Sequence, residues 1–364
     1  MAFFDRLGSR LGSRLGHHAG AALDGVVGKV LGASVSRSGP RRRPRHARKL
    51  VTHLAGIYGT DALIAEPDRF YRPPPAAKVS VRHADDLPDG GAVLDLAWPS
   101  SYEPFLASYR EEMERFPENL TAHARWFRAR SPRPVLICLH GFAGGSFTLE
   151  EKIFGVRAFL DAGLDVVLFQ LPFHGRRKPG GRPLATWFPS PHLVRTNETF
   201  GQAIHDLRQL IAFLRARDAP GVSVLGMSLG GYTTALLASV EPTLTAAIPM
   251  IPLTDMPSLM WTLGEGTDAM DRAQRGGVSQ DDVASVFRVH SPLARPPLVP
   301  RDRRFIIAGT GDRITTPAHA KLLWEHWDRP AIHWFAGGHL LHFGRGAALR
   351  EASVFAARAS LHTP

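Results

Sequence analysis

From about residue 130 the chain alternates short apolar runs with longer amphipathic stretches. The runs over 135–139, 165–170, 222–226, 244–251, 304–308 and 331–335 carry few polar positions and read as strands buried on both faces. Between them, apolar residues at helical spacing predict helices over 149–162, 198–215, 228–239, 318–327 and 347–360. This alternation predicts an α/β fold, a mostly parallel central sheet with helices on both faces. Upstream, the segments 79–81 and 92–96 flank Pro88-Asp-Gly-Gly91 and predict a hairpin, and 121–128 reads as a further strand of ambiguous period.

The first 60 residues follow another pattern. Phe4, Leu7, Leu11, Leu15, Val26 and Val30 recur at roughly helical spacing, while Gly8, Gly12, Gly16 and Gly20 lower the helix propensity. Arg6, Arg10 and Arg14 rule out a simple membrane span, but an amphipathic helix lying on a membrane surface fits them, as does a helix packed on the body. The run 39–49, with prolines among like charges, suggests an exposed linker. Residues 1–60 are therefore set apart as a basic, partly amphipathic extension, and 61–364 as the main domain.

Charge sharpens that division. The net charge is +11 over 364 residues, and residues 1–50 hold eleven Lys and Arg against two acidic residues. The remaining 314 residues carry 33 basic and 31 acidic side chains, so the basic character sits in the extension. Without a recognised binding motif or interleaved aromatics, nucleic acid is not an expected partner. The arginines near the start stand where a secretion signal would need its apolar run, and the single cysteine, Cys138, lies in an apolar strand and excludes an intrachain disulfide. A cytoplasmic location, with peripheral membrane contact through the extension as an option, is the expectation. The cysteine and histidines show no zinc-type spacing, so neither metal nor cofactor is expected.

In sheets of this kind the working crevice lies beyond the carboxyl ends of the strands. The residues there are His140-Gly-Phe142, Leu171 to Arg182, Ser228 within GMSLG, Asp312 within GTGDRITTP, and His339 within GGH. A serine hydroxyl is a weak nucleophile at neutral pH and needs a histidine to take its proton. The histidine needs a carboxylate to fix its tautomer, and the developing oxyanion needs N–H donors. Ser228, Asp312 and His339 supply that set, each after its own strand.

The four motifs HGF, GMSLG, GTGDRITTP and GGH, in this order, resemble the α/β-hydrolase superfamily over residues from about 78 to the end. The resemblance implies an α/β-hydrolase fold and a serine hydrolase with Ser228 as nucleophile, His339 as base and Asp312 as acid. It also implies an oxyanion hole made by the N–H groups of Phe142 and Leu229. Asp255 is a rival for the acid, and His333 and His342 are rivals for the base; His140 fits a role in shaping the oxyanion loop.

The loop LPFHGRRKPGGR carries Arg176, Arg177, Lys178 and Arg182. Its form, Pro-x-x-Gly-x-Arg-Lys-Pro, resembles a branch of the superfamily linked to phospholipid-type deacylation. Arg176 and Arg177 are candidate substrate-binding cations for a phosphate or carboxylate, against the alternative of a solvated loop. Residues from about 253 to 302, with Met256, Leu259, Met260, Trp261 and Leu263, predict a small helical cap that either covers the site or packs on the core. The expectation is hydrolysis of small-molecule or lipid carboxylic esters through an acyl-enzyme. A peptidase or amidase of the same fold and a non-catalytic, membrane-associated binding protein are the alternatives.

Overall fold

The computed structural model describes residues 44–181, 188–340 and 345–361. Val51, Leu54 and Tyr58 recur at helical spacing, and Pro44–Tyr58 forms helix α1, which buries that stripe. The proline opens the helix at the position where its missing N–H costs nothing. The sequence reading placed 44–49 in a linker; the apolar stripe that follows carries the helix back into the basic run, and residues 39–43 lie outside the described residues. The short helices α2 (Asp61–Ala65) and α3 (Arg110–Glu114) flank the first strands, β1 (Ser80–Asp86) and β2 (Ala92–Pro99). These two pair antiparallel across the turn predicted at 88–91.

The remaining strands are β3 (Thr121–Arg128), β4 (Val135–Leu139), β5 (Asp165–Phe169), β6 (Val222–Met227), β7 (Ala247–Met250), β8 (Phe305–Gly309) and β9 (Ala331–Phe335). Their order in one sheet is β1-β2-β3-β5-β4-β6-β7-β8-β9. β1, β2, β3 and β5 pair antiparallel, and from β5 to β9 every pair is parallel. The chain therefore makes the mostly parallel, doubly covered α/β sheet that its apolar runs predict.

The helices that follow these strands are α4 (Phe147–Phe154), α5 (Val156–Asp161), α6 (Leu193–Arg215), α7 (Leu229–Ala238), α8 (Met256–Gly264), α9 (Asp268–Arg275), α10 (Gln280–Phe287), α11 (Pro317–His326) and α12 (Arg345–Leu361). Successive residues of β4 point to opposite faces. Val135, Ile137 and Leu139 join a core with α1, α6, α7, α10 and α11, whereas Leu136 and Cys138 join one with α4, α5 and α12.

Several boundaries differ from the sequence reading: β1 runs on to Asp86 and α6 starts at Leu193. The helix expected over 149–162 is broken at Gly155, whose φ of +65° ends α4 and starts α5. The strand expected over 244–251 is only Ala247–Met250, and its carboxyl end stops where Ile251 turns to a φ of +39°. Helices α8, α9 and α10 occupy the insertion between β7 and β8. Val278, Val283, Val286 and Phe287 of that insertion lie in the same core as Val51, Leu54 and Tyr58 of α1, so the insertion is packed down along this side.

Candidate active site

β6 and α7 meet at Ser228, which has φ +57° and ψ −110°, a strained conformation for a residue with a side chain. The turn is sharp enough that a Cβ on Gly226 would strike the Gly230 carbonyl, and one on Gly230 would strike the Leu139 carbonyl. Glycine at both positions lets strand, turn and helix approach this closely. The Ser228 N–H donates to Met250 O at 3.0 Å, tying the elbow to the end of β7.

His339, in the loop after β9, brings Nε2 to 2.8 Å from Ser228 Oγ. Its Nδ1 lies 2.7 Å from Asp312 Oδ2. The other carboxylate oxygen, Asp312 Oδ1, accepts the N–H groups of Ile314 at 2.9 Å and Thr315 at 2.8 Å. With Asp312 2% exposed and His339 9%, this chain of hydrogen bonds is largely out of water until it reaches the serine. Three residues far apart in sequence, each after its own strand, thus converge on one hydrogen-bonded line.

The loop after β4 closes the other side. A Cβ on Gly141 would lie 3.4 Å from Ser228 Cβ, which sets this loop against the serine. Three buried side chains pin it. His140 Nδ1 donates to Gly141 O at 2.8 Å, and its Nε2 accepts the Leu171 N–H at 3.1 Å. Glu150 accepts the Gly145 N–H at 3.0 Å, and the Gln170 side-chain amide donates to Gly145 O. Burial pushes His140 down to about 4, so it stays neutral and able to accept, and it pushes the Glu150 carboxyl up. Among the described residues, the N–H groups of Phe142 and Leu229 have no protein acceptor. Leu229 is the first residue of α7, where backbone N–H groups are left unpaired by the helix itself.

Sequence comparison matches residues 134–270 to a family described as alpha/beta hydrolase fold. The chain is also 32% identical over 287 residues to the uncharacterized protein Rv2627c of Mycobacterium tuberculosis (strain ATCC 25618 / H37Rv), covering 78% of this chain and 68% of that one. Among solved structures, acetyl xylan esterase 1 from Thermoanaerobacterium sp. JW/SL YS485 superposes with a TM-score of 0.59 at 15% identity, covering 84% of this chain and 98% of the other. An acetyl xylan esterase from Paenibacillus sp. R4 gives 0.57 at 12% identity, with 88% and 98% covered. The chain belongs to the α/β-hydrolase superfamily.

The rival residues of this α/β hydrolase are engaged elsewhere. Asp255 caps α8 by accepting the Ser258 N–H at 3.0 Å. The N–H groups of Thr254 and Asp255 both point to His319 Nδ1, at 3.3 and 3.2 Å. His333 pairs with Glu351 at 2.6 Å. His342 and Arg182 lie outside the described residues. Among the described residues no group of three or more His, Cys, Asp or Glu could hold a metal ion.

The two arginines singled out in the sequence are separated by the fold. Arg177 is fully buried, donating to Asp206 at 2.8 Å and to Asn119 O at 2.9 Å. Burial alone would lower its pKa, and Asp206 opposes that; its charge is used inside the protein, which corrects its assignment to substrate. Arg176 keeps a half-exposed side chain, 3.4 Å from Asp95 and stacked over Phe147 at 5.5 Å. His174, fully buried, donates from Nδ1 to Pro172 O at 2.9 Å. Sequence reasoning passed over Thr315, which stands inside the quoted GTGDRITTP, and over Glu150 and Gln170, which carry no motif.

Proposed function

We propose that this protein is a serine hydrolase that cleaves carboxylic esters through an acyl-enzyme. The observation that carries the reading is the unbroken line from Ser228 Oγ to His339 Nε2 at 2.8 Å and from His339 Nδ1 to Asp312 Oδ2 at 2.7 Å.

In the proposed cycle the Ser228 oxygen attacks the ester carbonyl carbon while His339 Nε2 takes its proton. Asp312 holds the Nδ1 proton in place and stabilises the imidazolium. The carbonyl oxygen becomes an oxyanion and receives the Phe142 and Leu229 N–H groups. Collapse breaks the carbonyl–alkoxy bond, and His339 returns its proton to the departing alcohol. A water molecule then repeats the sequence on the acyl-enzyme, releasing the acid and restoring the serine. The names of the fold neighbours, both acetyl xylan esterases, favour an ester over an amide. The insertion residues Leu259, Met260 and Trp261, only partly buried against the core, favour an amphiphilic ester, and Arg176, the accessible one of the two arginines, is the candidate cation for an anionic group on it.

Intact-mass spectrometry tests the acyl-enzyme. Rapid quenching during turnover of a p-nitrophenyl ester is expected to show one added acyl mass, absent in Ser228→Ala. Ester turnover by a fully folded Ser228→Ala variant at the wild-type rate would sink the proposal.

A further inference from the structure

Thr315 occupies a place that the proposed cycle leaves unused. It is 3% exposed, and its Oγ1 is 2.9 Å from Asp312 Oδ2, 3.0 Å from His339 Nδ1 and 3.0 Å from Ile251 O. One hydroxyl therefore touches the loops after β7, β8 and β9 at once. A threonine hydroxyl has one proton to give and two lone pairs to offer. Of its neighbours the ionised carboxylate is the strongest acceptor.

The backbone around it fixes the hydroxyl in place and offers the one acceptor that competes with the carboxylate for its proton. Ile251 is a β-branched residue at φ +39°, a rare conformation, and that turn leaves its carbonyl 3.0 Å from the Thr315 hydroxyl. The Ile251 N–H is fixed on the far side by Ile307 O at 2.6 Å. The Thr315 N–H at the same time holds Asp312 Oδ1 at 2.8 Å. Thr315 thus grips both oxygens of the carboxylate, one through its backbone and one through its side chain.

We infer that Thr315 is a positioning residue for His339: its hydroxyl donates to Asp312 Oδ2 and fixes the oxygen that aims the imidazole at Ser228. The inference rests on the serine-hydrolase reading above. Removing the hydroxyl loosens the aim of the imidazole while Nδ1 stays bound to Asp312, and it leaves Oδ2 with one donor fewer and hence more basic. A more basic Oδ2 holds the imidazolium more strongly, so the base of the reaction stays protonated to higher pH. The other titratable groups on this side are His319, on α11, and Asp255 behind it. Both groups are present in wild type and variants alike, so the wild-type profile serves as the reference.

The test compares Thr315→Val and Thr315→Ser with the full-length wild type. For Thr315→Val the expected result is a fall of roughly tenfold in kcat, the order of one lost charge-assisted hydrogen bond, with KM little changed. The acid limb of kcat/KM is expected to move up by about half a pH unit, the size of a partial change in one partner's charge. Thr315→Ser, which keeps the hydroxyl, is expected to restore both, and thermal melts of all three proteins separate these effects from folding. An unmoved acid limb, or a valine variant as active as wild type, would overturn the inference. A downward shift would show the hydroxyl accepting from Nδ1 and would overturn the donor assignment. Wild-type activity that survives Ser228→Ala would instead defeat the underlying reading.

Discussion

At the residue scale, the difference between Asp312 and Asp255 shows how a fold assigns chemistry to equivalent side chains. Both are aspartates after a parallel strand, and the sequence left a choice between them. Asp312 has its two oxygens divided between backbone N–H groups and His339. Asp255 spends its carboxylate on the first turn of α8. Asp312→Asn is therefore expected to lower kcat by about 10³- to 10⁴-fold, the cost of a misassigned histidine tautomer. Asp255→Asn is expected to cost less than about tenfold, since an amide oxygen still caps a helix. Parallel kinetics of the two variants check this; equal losses would contradict it. The same scale explains a failure of the sequence reading. Arg176 and Arg177 are adjacent and chemically alike, yet Arg177 is buried because Asp206, on α6, faces it from 29 residues away. Nothing local to LPFHGRRKPGGR records that partner.

At the element scale, strands carried most of the legible information. β4 matches its apolar run; β9 matches in extent, although as the edge strand it is only half-buried and not covered on both faces as expected; and the residues beyond β6, β8 and β9 are those that converge. Short buried strands are legible because almost every position must be apolar. The elements that were not legible depend on one backbone angle, as at Gly155 and Ile251, or on partners remote in sequence, as for the pinned loop after β4. That loop yields a pH prediction. The unfolded chain takes up a proton at His140 as pH falls below about 6.5, whereas the folded protein resists until about 4. The stability that His140 contributes is thus complete above about 6.5 and is lost progressively as pH falls toward 4. Its share of the slope reaches about 1.4 kcal/mol per pH unit. His140→Gln cannot titrate, so its guanidinium unfolding free energy is expected to vary less between pH 6.5 and 4 than that of wild type. Identical slopes would place the pH sensitivity elsewhere.

At the scale of the whole molecule, the division of charge separates the body from the extension. No described helix is long and apolar enough to cross a membrane. Residues 1–50 hold eleven basic against two acidic residues, and we propose that 1–43, which lie outside the described residues, attach the protein to anionic lipid. Full-length protein is expected to co-sediment with anionic vesicles in low salt and to be released as salt screens the charge. A chain beginning at residue 44 keeps α1, which shares the central core, and is expected to stay in solution. Equal sedimentation of both would remove the extension from the account. Within the body, the proposed cycle requires Ser228 to be a nucleophile activated by His339. Labelling with a fluorophosphonate, followed by peptide mapping, tests it most directly. A single adduct on Ser228 is expected, absent in Ser228→Ala and greatly slowed in His339→Ala. No adduct on the folded wild-type protein, or an adduct that persists without Ser228, would contradict it.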